Sequence, residues 1–126
     1  MRHKILLVLL LIFSCLPGGA QADRHDVRAG NRKFRRDRFR EAEIDYRKAV
    51  LKASTSVTAQ YDLASSLYRQ EDYAGAAKAL ESVKEQPDLP SRYYFNAGDA
   101  AAQQQDWQAA VDAFRQALLR DPGDLE

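Results

Sequence analysis

Similar residues recur along this chain every 34 positions, which leaves few architectures open, because stacked repeats do not share one conventional core. With Asp23, Val57 and Ser91 as starts, three segments follow one another without a gap and end at Ser56, Pro90 and Asp124. In this register the eighth place holds Gly30, Ala64 and Gly98, the seventeenth Phe39, Tyr73 and Trp107, and the twentieth Ala42, Ala76 and Ala110. Tyr46, Leu80 and Phe114 share the twenty-fourth place, and Ala49, Val83 and Ala117 the twenty-seventh. Two antiparallel helices need this alternation. Small residues let the backbones approach, and large ones fill the space beside them.

Hydrophobic spacing within the segments supports helices independently. Val111, Phe114, Ala117 and Leu118 recur at three- and four-residue steps, and Ile44, Tyr46 and Ala49 are expected to do the same work in the first segment. Breakers fall between segments, as Ser54-Thr55-Ser56 and as Gln86-Pro87-Asp88-Leu89-Pro90. The expected domains are 23–56, 57–90 and 91–124, with 125–126 opening a fourth segment that goes no further. At 126 residues, 45% hydrophobic and 29% charged, the composition suits one soluble domain.

The fifteen register residues together resemble the tetratricopeptide repeat (TPR) family, whose unit is a helix, a turn and a second helix. The resemblance runs from Asp23 to Asp124 and implies an all-α fold, a right-handed superhelical stack of three hairpins. The proline usual late in the repeat is missing at Ser54 and Asp88 and present at Pro122. More narrowly, the run from Arg28 through Gly30, Asn31 and Phe34 to Phe39, Ala42, Tyr46 and Ala49 is similar to the first repeat of the exported TPR proteins of the Bat aerotolerance operon of Bacteroides-type bacteria. That likeness implies a periplasmic scaffold beside von Willebrand A-domain membrane proteins.

Residues 1–22 read as a signal peptide, expected to form a helix ahead of the stack. Arg2, His3 and Lys4 make a basic start, Ile5 to Phe13 is unbroken apolar chain, and Ala20-Gln21-Ala22 offers small residues before a cut. The apolar run falls short of the roughly 20 residues that span a bilayer. The expected location is the periplasm or the exterior. Cys15, the single cysteine, is a small apolar residue of the signal on this reading, with lipid attachment at Cys15 the minor alternative. The mature chain then has no disulfide in an oxidising compartment.

In a TPR stack the first helices of successive hairpins line the concave face. The candidate partner-binding residues are therefore Arg24, Arg28, Asn31 and Arg35 from the first segment, spaced four, three and four apart on one stripe. The second segment supplies Tyr61, Asp62, Ser65, Tyr68 and Arg69, and the third Arg92, Phe95, Asn96 and Asp99. Guanidinium groups hold carboxylates through paired hydrogen bonds, and tyrosines bring apolar area with little freedom to lose. An extended acidic or aromatic peptide suits such a wall. A plainly solvated charged face is the competing explanation. Some TPR domains grip a chaperone's terminal carboxylate, and Asn31 matches one place of that clamp. Val27, Asp62 and Asn96 depart from it, and an acid at Asp62 repels the group the clamp captures.

Charge separates the ends. Residues 23–56 carry eleven Lys or Arg against six acids, and residues 57–126 six against twelve, so the two parts are +5 and −6. Nucleic acid is disfavoured by the acids interleaved at Asp37, Glu41, Glu43 and Asp45 and by export. Head-to-tail self-association of basic and acidic ends is the alternative function. Catalysis is the remote one: His25 stands beside Asp26 at the start of the repeats, no nucleophile is paired with a base, and no cofactor is expected. Because no polar helix follows the third segment, Phe114, Ala117 and Leu118 are expected to be partly bare. Either a longer protein continues past this point, or that face docks on another chain.

Overall fold

The computed structural model describes residues 19–125, and the basic start, the apolar run and Cys15 lie outside that range. Six α-helices follow in order: α1 (Gly19–Phe34), α2 (Phe39–Lys52), α3 (Val57–Arg69), α4 (Tyr73–Glu81), α5 (Ser91–Gln103) and α6 (Trp107–Arg120), with a 3-10 turn over Pro122–Leu125. No strand occurs among the described residues. The helices pair as α1 with α2, α3 with α4 and α5 with α6, and α2 packs on α3 and α4 on α5. The first helices also touch, α1 with α3 and α3 with α5, so they form one continuous wall.

Each hairpin turns by the same device. Asp37, Glu71 and Gln105, which share the fifteenth place of the register, all have positive φ, at 59°, 64° and 61°. Around them the amides of Arg38, Asp72 and Asp106 donate to the carbonyls of Lys33, Leu67 and Ala101, closing the helix end with a six-to-one bond. Asp37 is of a type that tolerates the left-handed region, but Glu71 and Gln105 are not, so residue type marks only the first of the three turns. Two of the second helices then start on side-chain caps, Asp72 Oδ1 accepting from the Gly75 amide at 2.9 Å and Asp106 Oδ1 from the Ala109 amide at 3.3 Å, whereas α2 follows Arg38 without one. Between hairpins, Ser56 Oγ accepts from the Ala59 amide and caps α3.

The small places of the register are the closest points of the fold. Ala42, Ala76 and Ala110 are buried, as are Gly30, Ala64 and Gly98. Tyr46, Leu80, Val83 and Leu67 fill the space between them. Val83 does this from outside α4, which ends at Glu81. There the chain tightens into three-residue turns, the Val83 amide donating to Leu80, while Ser82 Oγ donates back to the Lys78 carbonyl.

Two expectations about the core need correcting. Ile44 is 53% exposed, because its place on α2 faces away from both α1 and α3. Ala117 is fully buried, held inside its own hairpin where the Ser91 hydroxyl donates to its carbonyl at 3.1 Å. Leu118 is bare as expected and Phe114 half-buried, and Trp107 and Val111 extend the same exposed surface. Tyr93, from α5, sits in the core, and its hydroxyl donates to the Leu80 carbonyl; burial pushes its pKa up to about 12.

The first hairpin also holds two ion pairs across its helices. Lys33 reaches the buried Asp45, and Lys52 reaches Asp26 at 2.6 Å. Asp26 is therefore part of a structural pair, and its pKa is lowered chiefly by the hydrogen bond from Lys52. His25, 3.7 Å from the same carboxylate, projects into solvent.

Candidate functional site

Among the described residues, the wall of first helices carries two recesses. The larger, of about 200 Å³, lies between the C-terminal parts of α1, α3 and α5. Phe34, Ser65, Tyr68, Arg69, Asn96 and Asp99 line it over a floor of Ala64, Ala76 and Leu80. The smaller, of about 110 Å³, lies toward the start of α3 and α5, where Tyr61, Asp62 and Arg92 face one another beside Val57, Thr58 and Pro90. Eight of the thirteen sequence-predicted residues thus line these two recesses.

Arg69 is positioned rather than loose. Its guanidinium carbon stands 4.3 Å from the Phe39 ring centroid and 5.9 Å from that of Phe34, and one nitrogen is 4.0 Å from Asp37. The rings of Phe34 and Phe39 meet edge to face at 5.0 Å, and those of Tyr68 and Tyr73 at 5.1 Å, so the aromatic rim of the larger recess is braced from the second helices. Ser65 Oγ donates back to the Tyr61 carbonyl. Arg92 stands 5.4 Å from the Tyr61 ring and tempers the charge of Asp62.

Two carboxylates face this wall without a hydrogen-bonding partner among the described residues. Burial raises the pKa of Asp62 to about 6, with Arg92 opposing the shift, and burial likewise raises that of Asp99. A third link comes from the core. The Tyr46 hydroxyl crosses from α2 and donates to Asn31 Oδ1 at 2.6 Å. Burial raises the Tyr46 pKa, the negative charge of Asp62 adds to the shift and Arg35 opposes it. The Tyr46 hydrogen bond to Asn31 therefore ties the two helices of the first hairpin together behind the wall.

The remaining predicted residues are placed differently. Arg24 and Arg28 are exposed on α1, with no ion pair among the described residues. Arg35 caps the stripe at the end of α1, its amide still donating to the Asn31 carbonyl four residues back, and it is exposed. Phe95 packs against Phe114 at 5.6 Å, toward the third hairpin's uncovered side. Sequence reasoning missed Phe34 and Tyr46. Phe34 was findable, since it shares the twelfth place of the register with Tyr68, whereas Tyr46 reads as pure core until its hydroxyl is located.

Chemically, the wall offers arginine edges, aromatic faces and two desolvated acids, the set that sorts peptide side chains by charge and shape. Among the described residues, no three His, Cys, Asp or Glu side chains come together in a way that could hold a metal ion, and no helix is long and apolar enough to cross a membrane.

Comparison with known proteins bears on the same surface. A family model described as tetratricopeptide repeat matches twice, over residues 27–90 and 61–124. Among solved structures, the fold is similar to the N-terminal domain of stress-induced protein-1 (STI-1) from C. elegans, with a TM-score of 0.72 and 20% sequence identity over 82% of this chain and 87% of that one. At that identity the likeness speaks for the fold alone. The comparison with curated proteins finds no match.

Proposed function

The chain belongs to the tetratricopeptide repeat family, and we propose on that premise that it is a protein-binding scaffold whose concave wall takes an extended segment of a partner protein. The observation that carries this reading is the larger recess. Its aromatic rim of Phe34 and Tyr68 is fixed from behind, and Arg69 is already oriented at its edge. A pre-set site of this kind loses little entropy when a ligand arrives. An aromatic or large apolar side chain fits the recess, while acidic residues toward the N-terminal end of the wall meet Arg28 and Arg35. The smaller recess, with Asp62, selects against an acid at that point of the ligand.

Location and setting rest on sequence alone. The basic and apolar start of the chain supports export, and the likeness of the first repeat to Bat-operon proteins supports a periplasmic complex with von Willebrand A-domain membrane proteins. We propose both on those grounds. A binding module rather than an enzyme is the reading throughout.

The test is fluorescence anisotropy with a panel of labelled nine-residue peptides that place Phe, Leu or Ala at the centre and Glu or Lys toward one end. Binding should favour Phe with Glu, and both Tyr68→Ala and Arg35→Glu should weaken it by roughly tenfold, the equivalent of about 1.4 kcal/mol. Equal binding of all peptides, or binding indifferent to both substitutions, refutes the groove.

A further inference from the structure

The larger recess is chemically lopsided. Its α1 and α3 side offers the rings of Phe34 and Tyr68 over Ala64, whereas its α5 side offers Asn96 and Asp99, three residues apart on one face of that helix. An all-carbon side chain complements only the first of these. Placed in the recess, it would cover the Asp99 carboxylate and give it no partner, and a desolvated carboxylate without a hydrogen bond costs free energy.

The polar groups of the recess favour a ligand that donates. Ser65 Oγ gives its proton to the Tyr61 carbonyl at 3.0 Å, which leaves its oxygen able only to accept. No hydrogen bond or opposite charge offsets the burial that raises the pKa of Asp99. Arg69, the cation of the rim, is engaged elsewhere. Its guanidinium lies 4.3 Å from the Phe39 ring and 4.0 Å from Asp37, both in the first hairpin, while Asp99 belongs to the third. A ligand lysine would reach Asp99 only by bringing a second positive charge beside Arg69. Tyrosine and tryptophan avoid that conflict, because each joins an apolar ring to one neutral donor at its edge.

We infer that the larger recess selects a partner side chain that is aromatic and ends in a hydrogen-bond donor, a tyrosine or a tryptophan, whose O–H or N–H donates to the Asp99 carboxylate. This rests on the reading of the wall as a groove for an extended segment and narrows it. The ring supplies affinity against Phe34 and Tyr68, and Asp99 decides which ring is taken. A site built around a hydrogen bond rejects the analogue that lacks the donor more strongly than an apolar pocket rejects a change of size.

The experiment is a set of anisotropy titrations of the full chain and of Asp99→Ala, with labelled peptides that carry Glu toward one end and Tyr, Phe or Lys at the centre. The native chain should bind the tyrosine peptide roughly tenfold more tightly than the phenylalanine peptide, as one hydrogen bond to a charged acceptor provides, and the lysine peptide most weakly. In Asp99→Ala the advantage of tyrosine should vanish while the phenylalanine peptide binds at least as well as before. That second result shows the variant to be folded with its aromatic rim intact. Asp99→Asn, which keeps a neutral acceptor, should retain part of the preference. Equal binding of the tyrosine and phenylalanine peptides by the native chain overturns the inference and leaves the groove standing. A tyrosine advantage that survives Asp99→Ala, or tightest binding of the lysine peptide, does the same. Binding of none of the peptides removes the groove and the inference together.

Discussion

Gly30→Ala and Gly98→Ala put the same methyl group at the same register place of two hairpins, and the structure gives them different outcomes. Neither glycine has positive φ, so what each supplies is space. A Cβ on Gly30 would stand 2.5 Å from Tyr46 Cε1, and one on Gly98 2.6 Å from Phe114 Cε1. In both, replacing a helical glycine by alanine gains about 1 kcal/mol of helix propensity. The opposing term is overpacking, about 1–3 kcal/mol where the neighbour cannot yield. Tyr46 cannot yield: it is 1% exposed and its hydroxyl is bonded to Asn31. Phe114 can, since it is half-buried at the uncovered face and has open space to swing into. With overpacking against the immobile Tyr46 in the upper part of that range, about 2–3 kcal/mol, Gly30→Ala should cost about 1–2 kcal/mol net, and Gly98→Ala should lie between neutral and about 1 kcal/mol more stable.

Urea unfolding followed by circular dichroism reads the difference as a midpoint shift of about 0.5–1 M between the two variants, given the usual slope for a small domain. The second hairpin provides the control, because there Ala64 faces Leu80 instead of an aromatic ring. Tyr46→Leu imports that pairing, so it should cost about 1 kcal/mol less in the Gly30→Ala background than in the native one. The reasoning fails if Gly30→Ala unfolds at the same urea concentration as Gly98→Ala or a higher one.

Two further expectations concern pH. Asp62 has a folded pKa of about 6 against 3.8 for a free side chain, so between those values the folded state binds more protons than the unfolded one and stability falls as pH rises. Asp62→Asn should remove that slope and raise stability near neutral pH by on the order of 1 kcal/mol after allowance for its partial exposure; a variant with the native pH slope refutes this. Asp26 runs the other way. Its pKa is lowered by Lys52, so its contribution is present above the ordinary carboxylate value and is lost as pH falls through the folded value. Asp26→Asn should destabilise by about 1 kcal/mol at neutral pH and by nearly nothing in strong acid, and an equal loss at both would show that packing, not charge, holds the pair.

Legibility differed between fold and site for physical reasons. Helix pairing was readable because small residues at the eighth and twentieth places and large ones at the twenty-fourth leave two antiparallel helices few other ways to fit. The wall was readable for the same reason, since Tyr61, Asp62, Ser65, Tyr68 and Arg92 occupy places whose orientation is set by helix geometry. Where each first helix stops was not readable, because Glu71 and Gln105 take the left-handed turn position although their types seldom adopt it. The Tyr46 to Asn31 bond and the Arg69 stack on Phe39 join separate helices, and no local pattern encodes them.

By itself, then, the order of residues determined the number of hairpins, their register and which side of each first helix forms the wall. Tertiary structure alone decided burial at the places that face a neighbouring hairpin. Phe39, Tyr73 and Trp107 are equivalent along the chain, yet two are half-buried and the third is exposed. The reason is that a residue's distance from water depends on what is packed over it, and the residue's own helix carries no record of that.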